Sequence, residues 1–312
     1  MIEVLAAIDV FLQSGLVFSL IAMGYYVSYT ILDFPDLTVE GTFLTGAAIY
    51  GVMVSNGINA WLGLIAAFCA GCLFGALTGF LHVKCHIRPL LCGILVSTAL
   101  ISINLETVGV GIEGIWPGEA GSSISFGRSA ETLSKTPPFD IIPANINGID
   151  IRNLVIFFVI AILFKLLLDM FLKTKRGMLL FATGDNDRFV TTLSVDSGNN
   201  KIIGLAIGNG YAAVAGVLYT LISGNVNQSM GIGTIVIGLA SLIIGLSVFS
   251  KVRFLKPTTK VILGAVIYQM CLTVAQKLGV PSAYNKLIMA IIFTVALVLS
   301  DRVKRKRGKK AQ

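Results

Sequence analysis

Residues 41–83 read GTFLTGAAIYGVMVSNGINAWLGLIAAFCAGCLFGALTGFLHV, 43 positions without Asp, Glu, Lys or Arg. A helix crosses the roughly 30 Å hydrocarbon core of a bilayer with about 20 residues, so this stretch must hold two crossings. Residues 202–250 repeat the feature over 49 positions. In a chain that is 55% hydrophobic and 13% charged, two such runs decide the fold class. It is an all-α polytopic membrane protein, and its function has to be sought between helices, inside the bilayer.

Composition narrows the reading. A mean hydropathy of +0.85 and 33 glycines suit closely packed membrane helices, because helices in lipid associate through close backbone approach at small residues rather than through a hydrophobic drive. Gly71, Gly75 and Gly79 recur every four residues and form such a face. The formal charge of +8 is not a nucleic-acid signature. Seven basic residues (Arg302, Lys304, Arg305, Lys306, Arg307, Lys309 and Lys310) crowd the last eleven positions behind an apolar segment, the pattern of a juxtamembrane cytoplasmic anchor. The apolar stretch 10–32 lacks a basic leader and continues too far for a removable signal peptide.

Spans are expected near 10–32, 40–57, 60–83, 89–111, 152–172, 202–223, 232–250, 260–278 and 284–300. That makes about nine transmembrane helices. Lys and Arg collect in the links 84–88, 173–201 and 251–260 and in the tail 301–312, which assigns those segments to the cytoplasmic side. The link 112–150 is then external, and its Glu113, Glu119, Glu131, Asp140 and Asp150 outnumber Arg128 and Lys135. The amino terminus, with Glu3 and Asp9 and no basic residue, is expected outside as well. The whole chain, 1–312, reads as one permease-like domain. It comprises a first repeat over about 10–111, the external loop 112–150, a linking helix 152–172, a surface segment 174–200, a second repeat over about 202–300 and the basic tail.

The repeat is carried by two polar, glycine-containing starts to a span: DLTVEGTFLTGA at 36–47, after the first span, and QSMGIGTIVIGLA at 228–240, after the sixth. Five crossings separate them, and an odd number inverts the second copy, as in transporters whose site lies at a repeat interface. Polar, broken backbone at membrane depth is tolerated only against protein or a water-filled cavity. Ordinary surface loops have the same chemistry and remain the alternative.

The largest cytoplasmic link carries RGMLLFATGDNDRFVTTLSV at 176–195. Gly184 is expected to break the preceding segment, with Asp185 capping a new short helix on which Phe189, Val190 and Leu193 share one face. Such a helix lies on headgroups or is gripped by a soluble partner.

Several other groupings read as structure. Cys69-x-x-Cys72 lies within an apolar, glycine-rich span, where thiols pack as small hydrophobes. His82 and His86 beside Cys85 have metal-ligand spacing, yet Lys84 and Arg88 interleave them at a turn, so no metal site is expected. Lys165 and Asp169, four apart near the inner end of the fifth span, should pair. Glu40 and Glu106 are more suggestive, since an ionisable group at membrane depth is expensive and usually faces a cavity or a partner. With Tyr25, Tyr26, Thr42, Asn104, Asn209, Tyr211, Gln228, Ser229 and Met230 they form the candidate lining of a translocation path. Buried tyrosines also serve as packed aromatics with a satisfied hydroxyl.

Four stretches together, DLTVEGT at 36–42, RPLLCGIL at 88–95, ATGDN at 182–186 and SMGIGTIVIGLASLIIG at 229–245, make the chain resemble the permease subunits of bacterial ABC importers in the branched-chain amino acid and ribose superfamily. The similarity is greatest to the branch linked with tryptophan and tyrosine-type uptake. The resemblance implies a homodimer of permeases in the bacterial inner membrane with a cytoplasmic carboxyl terminus. It further implies two cytoplasmic ABC ATPase subunits, which bring ATP and Mg, and an external substrate-binding lipoprotein or periplasmic protein. It makes Thr183, Gly184, Asp185, Asn186, Asp187, Arg188 and Phe189 the coupling helix that sits in a cleft of the ATPase. Members of that family often carry a basic residue where this chain has Glu106, a departure in the path. The chain has no Gly-x-x-x-x-Gly-Lys-Ser/Thr phosphate loop, so no cofactor is expected in it. It reads as a non-enzymatic transport subunit for a small solute, by its branch an aromatic or other amino acid. A secondary transporter or channel is the second reading, and a polytopic membrane enzyme the third.

Overall fold

The structure is a computed structural model that describes residues 2–110, 123–125, 132–137, 139–141, 150–186, 190, 197–252, 254–279 and 284–308. Ten helices are described: α1 (Ile2–Tyr25), α2 (Val39–Ser55), α3 (Ala60–Val83), α4 (Pro89–Val110), α5 (Ile151–Leu172), α6 (Lys175–Asp185), α7 (Ser197–Ser223), α8 (Thr234–Val248), α9 (Pro257–Lys277) and α10 (Asn285–Gly308). Seven stretches are long and apolar enough to cross a membrane, and Val39–Ser55 and Leu287–Val298 are shorter apolar helices. Together they fall at the nine positions read from the sequence. Local chemistry sets their starts. The Asn59 side chain accepts the Trp61 N–H at 2.9 Å before α3, the Asp150 carboxylate accepts from Asn153 before α5, and Pro257 occupies the first turn of α9.

Contacts sort the links into two ends. At one end, Trp61 Nε1 donates to the Pro137 carbonyl at 3.0 Å, the Leu133 N–H donates to the Tyr50 hydroxyl, and the Gln13 amide and Asp150 N–H both donate to Asp9. There too the short strands β1 (Ser123–Ser125) and β2 (Asn225–Asn227) pair antiparallel, Ile124 opposite Val226. At the other end, Phe34 meets His82 edge-on and Asp169 gathers Lys165, Lys256 and Thr258 at 3.1, 2.9 and 2.7 Å. The expected Lys165–Asp169 pair is present. It is half of a larger clamp that ties the end of α5 to the start of α9. The described parts of the link 112–150 thus lie at one end, and those of the links 84–88 and 251–260 at the other.

Close helix contacts hold the bundle. Gly71, Gly75 and Gly79 of α3 all lie against α7: a Cβ on Gly71 would come within 2.6 Å of the Asn209 carbonyl, one on Gly75 would overlap the Leu205 carbonyl, and one on Gly79 would approach the Ile202 Cα at 2.7 Å. The glycine face read from the sequence is therefore a seam. A second seam joins α2 to α7, where Gly46 meets the Ala213 carbonyl and Gly216 meets the Phe43 carbonyl. A third joins α1 to α8, with Gly238 against Tyr25 and Ile21. The α1 helix runs without interruption into a π-helical turn, Tyr26–Ile31, before the chain becomes irregular.

Each half of the bundle has the same element order: a long helix, a non-helical stretch, a short apolar helix and two further helices. The stretch before α2 starts at the end that holds His82 and Asp169, and the one before α8 starts at the end that holds Trp61 and Asp150. They turn back into the bundle and meet, the Gly233 N–H donating to Glu40 Oε1 at 2.8 Å. Gly233 adopts φ +97, a left-handed conformation that favours glycine. Opposed broken segments in contact are the geometry of an inverted repeat, and neither is an ordinary surface loop.

Candidate functional site

The centre of the bundle is a buried polar network built on the first broken segment. Asp36, in the turn before α2, accepts the Thr38 N–H at 2.9 Å through one oxygen and the Asn209 amide of α7 at 2.6 Å through the other. Asn209 in turn accepts from the Thr42 hydroxyl at 2.9 Å, and Thr38 and Thr78 hydroxyls lie 2.9 Å apart. Asp36, Thr38, Thr42 and Asn209 are all essentially inaccessible to solvent. An unpaired carboxylate could not persist there, and its donors come from Thr38 at the start of α2 and Asn209 of α7. This network joins the two halves rather than lining an opening.

The candidate path residues accordingly separate. Tyr25 is buried and donates to the Asp36 carbonyl at 3.1 Å, Tyr211 donates to the Phe164 carbonyl at 2.7 Å, and Tyr26 is buried beside them in the π turn. Asn104 is buried and donates to the Gly41 carbonyl. Glu40 spends its carboxylate on the first N–H of the α8 end. These residues, with Thr42 and Asn209, are packed between helices and line none of the described cavities. Three reach one. Ser229 and Met230 line a cavity of about 480 Å³ beneath the outer end of α7, and Gln228 starts the turn that carries them. Glu106 is exposed on α4 and lines a separate cavity of about 570 Å³ with Val52, Ser102, Ile103 and Thr107. Of the eleven, the fold places Ser229 and Met230 at one cavity and Glu106 at another, and packs seven between helices.

At the inner end, α6 departs from the expected break. The helix continues through Gly184 to Asp185, and Asn186 takes extended backbone as its carbonyl accepts the Val190 N–H. Gly184 is needed for contact, not for a break: a side chain there would overlap the Ile31 carbonyl at the end of the π turn. Asn186, rather than Asp185, thus occupies the position where the next turn begins. Thr183 is buried, donating to Leu179 and accepting from Asn200 of α7. Of the candidate coupling residues, Thr183 and Gly184 face the bundle, while Asp185 and Asn186 are exposed with Met178 and Phe181 of the same helix. Asp187, Arg188 and Phe189 lie outside the described residues. The contacts tie α6 to the π turn and to α7 and leave Met178, Phe181 and Asp185 on its exposed side.

The remaining candidates have structural partners. His82 shares a hydrogen bond of 2.8 Å with the Ile87 carbonyl, and Gly210 packs against the Cys72 sulfur. Asp36, Gln269, Thr273 and Gln276 were missed by the sequence reading. The last three had a signal. At spacings of four and three they form one polar stripe on α9, an otherwise apolar helix.

The family described as "Branched-chain amino acid transport system / permease component" matches residues 7–297. A curated relative, the tyrosine transport system permease protein of Clostridioides difficile, is 38% identical over 294 residues, covering 94% of this chain and 91% of the relative. The autoinducer 2 import system permease protein LsrC of Salmonella choleraesuis is 27% identical over 86% of this chain and 71% of its own. Among solved structures, PsaBC from Streptococcus pneumoniae in complex with Fab aligns over 95% of this chain and 91% of its own at 13% identity, with a TM-score of 0.48.

Proposed function

This chain belongs to the branched-chain amino acid transport permease family and is the membrane permease of an ABC importer, and from that premise we propose that it carries an aromatic amino acid, tyrosine first, into the cell. Family members are transport subunits rather than enzymes. The observation that carries the cargo is the 38% identity, over nearly the full length of both chains, to a tyrosine transport permease. The lining of the 480 Å³ cavity, neutral amides, hydroxyls and aromatic rings, supports an uncharged or zwitterionic solute. ATP and Mg enter only through two partner ATPases, which grip the exposed side of α6 and the segment following Asp185. An external binding protein delivers the solute and supplies most of the selectivity, because a path that must release its cargo cannot hold it tightly.

The second copy covers α4. Thr98, Ser102 and Glu106, four residues apart, form an exposed stripe on a membrane-spanning helix. A carboxylate facing acyl chains is unfavourable by several kcal/mol, and a partner permease enclosing a wet path against this stripe removes the conflict. Proteoliposomes holding this chain with its partner ATPase and binding protein should accumulate labelled tyrosine only with ATP on the ATPase side. Uptake that proceeds without ATPase, or a binding protein that selects a sugar over every amino acid, would sink the assignment.

Orientation follows from the charges. We place the chain in the bacterial inner membrane with the basic links and tail in the cytoplasm. In a variant whose five cysteines are replaced by serine, a membrane-impermeant maleimide on intact cells should label a cysteine replacing Asp140 and spare one replacing Lys175, both exposed positions at opposite ends. Labelling of the second alone would invert the topology.

A further inference from the structure

The 480 Å³ cavity lies in the outer half of one permease, enclosed by α1, α7, α8, α9 and the broken segment before α8. Among the described residues, no Asp, Glu, Lys, Arg or His lines it. Its polar wall is the stripe on α9, Gln269, Thr273 and Gln276, with Ser14 and Thr234 opposite. Gln269 is 4% exposed, and its amide nitrogen is buried without a hydrogen-bond partner. An amide in that state costs free energy until an acceptor reaches it. The other wall is aromatic: Phe18 and Tyr219 line the cavity, their centroids 5.6 Å apart at a tilt of 49°, and Phe43 backs both at 6.3 and 5.9 Å. A second cavity, about 350 Å³, shares Val10, Thr273 and Gln276 with the first and extends to Ala7 and Lys277 at the outer ends of α1 and α9.

We infer that this cavity is a solute-binding site within each permease, separate from the α4 face, which takes a small neutral or zwitterionic molecule with an aromatic ring and a hydrogen-bond acceptor. The ring packs on Phe18 and Tyr219 in an offset or edge arrangement. The acceptor, a carboxylate or phenolic oxygen, takes the Gln269 amide. Lys277 at the mouth favours the carboxylate end of an approaching amino acid, and the absence of charge deeper in disfavours ions that carry a net charge. The volume falls in the range of small-molecule sites, about 300–1,000 Å³. The broken backbone at Ser229 and Met230 gives the site a wall that can rearrange without breaking a helix. The choice of tyrosine and phenylalanine as probes rests on the importer reading; the site itself does not.

The test is protection from labelling. Thr273 is replaced by cysteine in the cysteine-free variant, and intact cells are treated with a membrane-impermeant maleimide, with L-tyrosine, L-phenylalanine or L-glutamate present. The aromatic amino acids at about ten times their dissociation constant should slow labelling roughly tenfold, and glutamate should not. Adding Gln269→Leu, close in volume, should leave the unprotected rate unchanged and weaken protection about tenfold. Equal labelling with and without aromatic amino acids, in cells that still accumulate tyrosine, overturns the site and leaves the importer reading standing. Labelling by a membrane-permeant maleimide alone would open the cavity to lipid and also overturn it. Protection retained where uptake fails would sink the cargo assignment and keep the site.

Discussion

Replacing Gly216 with valine should abolish accumulation of folded permease, the largest single-residue effect expected outside the charged network. A Cβ at this position would overlap the Phe43 carbonyl and come within 3.2 Å of the Ala47 nitrogen, both backbone atoms of α2. Backbone in the middle of a helix cannot rotate away as a side chain would. Overpacking a core ordinarily costs about 1–3 kcal/mol, occasionally more, and here the clash forces α2 and α7 apart along the seam that joins the two halves. That separation would also lengthen the Thr42–Asn209 and Gly46–Ala213 contacts on either side. Gly57→Ala is the control, since Gly57 has open space around it and only its φ of +72 opposes a side chain, a strain of roughly 1–2 kcal/mol. Fluorescence-detected gel filtration after heating separates the two. A Gly216→Val protein that elutes and melts like the parent would refute the close α2–α7 approach.

The spans were legible because charge is excluded from hydrocarbon, and one seam because glycine at a spacing of four has few other uses in a membrane helix. The run of Gly71, Gly75 and Gly79 announced its face, though not its partner, because spacing names a stripe and says nothing about which of eight other helices will fill it. The paired broken segments were legible as composition. Their meeting through Glu40 and Gly233 was not, since that contact spans 193 positions. The path residues separate for a related reason. Tyr25, Thr42, Asn104 and Asn209 are polar in apolar segments, and polarity at membrane depth has two outlets, a wet cavity or an internal partner. Sequence cannot choose between them, and for these four the fold chose the partner. Gln269, Thr273 and Gln276 were passed over because each is uncharged and lone in its neighbourhood, yet their common face on α9 was readable all along. At the inner end the helix-breaking habit of glycine misled. Gly184 stays helical because what the position demands is proximity to Ile31, and Gly meets that demand at a cost of only about 1 kcal/mol in helix propensity.

The buried network sets the second large effect. Asn209→Leu should remove the 2.6 Å donor from Asp36 and the acceptor for Thr42 together, leaving a carboxylate with donors from Thr38 alone at a depth where water does not reach. Losing a donor to a buried charged group costs about 1.5–3 kcal/mol, a large fraction of the stability of a marginally stable protein. Asp36→Asn should be far milder, because an amide oxygen still accepts from Thr38 and no charge is stranded. The decisive variant carries Asp36→Leu with Asn209→Leu. If the loss in the single variant comes from a stranded carboxylate, removing that carboxylate recovers much of the thermal stability, since paired apolar replacements of a buried polar contact are often close to neutral. If the loss came from the shape of leucine at 209, the double variant would be as unstable as the single one or worse. Uptake then reports a different property. The two halves of the bundle would be joined in the double variant by packing alone, without the hydrogen bonds that connect Asp36, at the end of the segment leading from α6 and Ile31, to α7. A double variant that is stable, retains ATP hydrolysis and transports poorly would make the network the element through which motion at α6 reaches the centre of the membrane; unimpaired transport would confine it to stability.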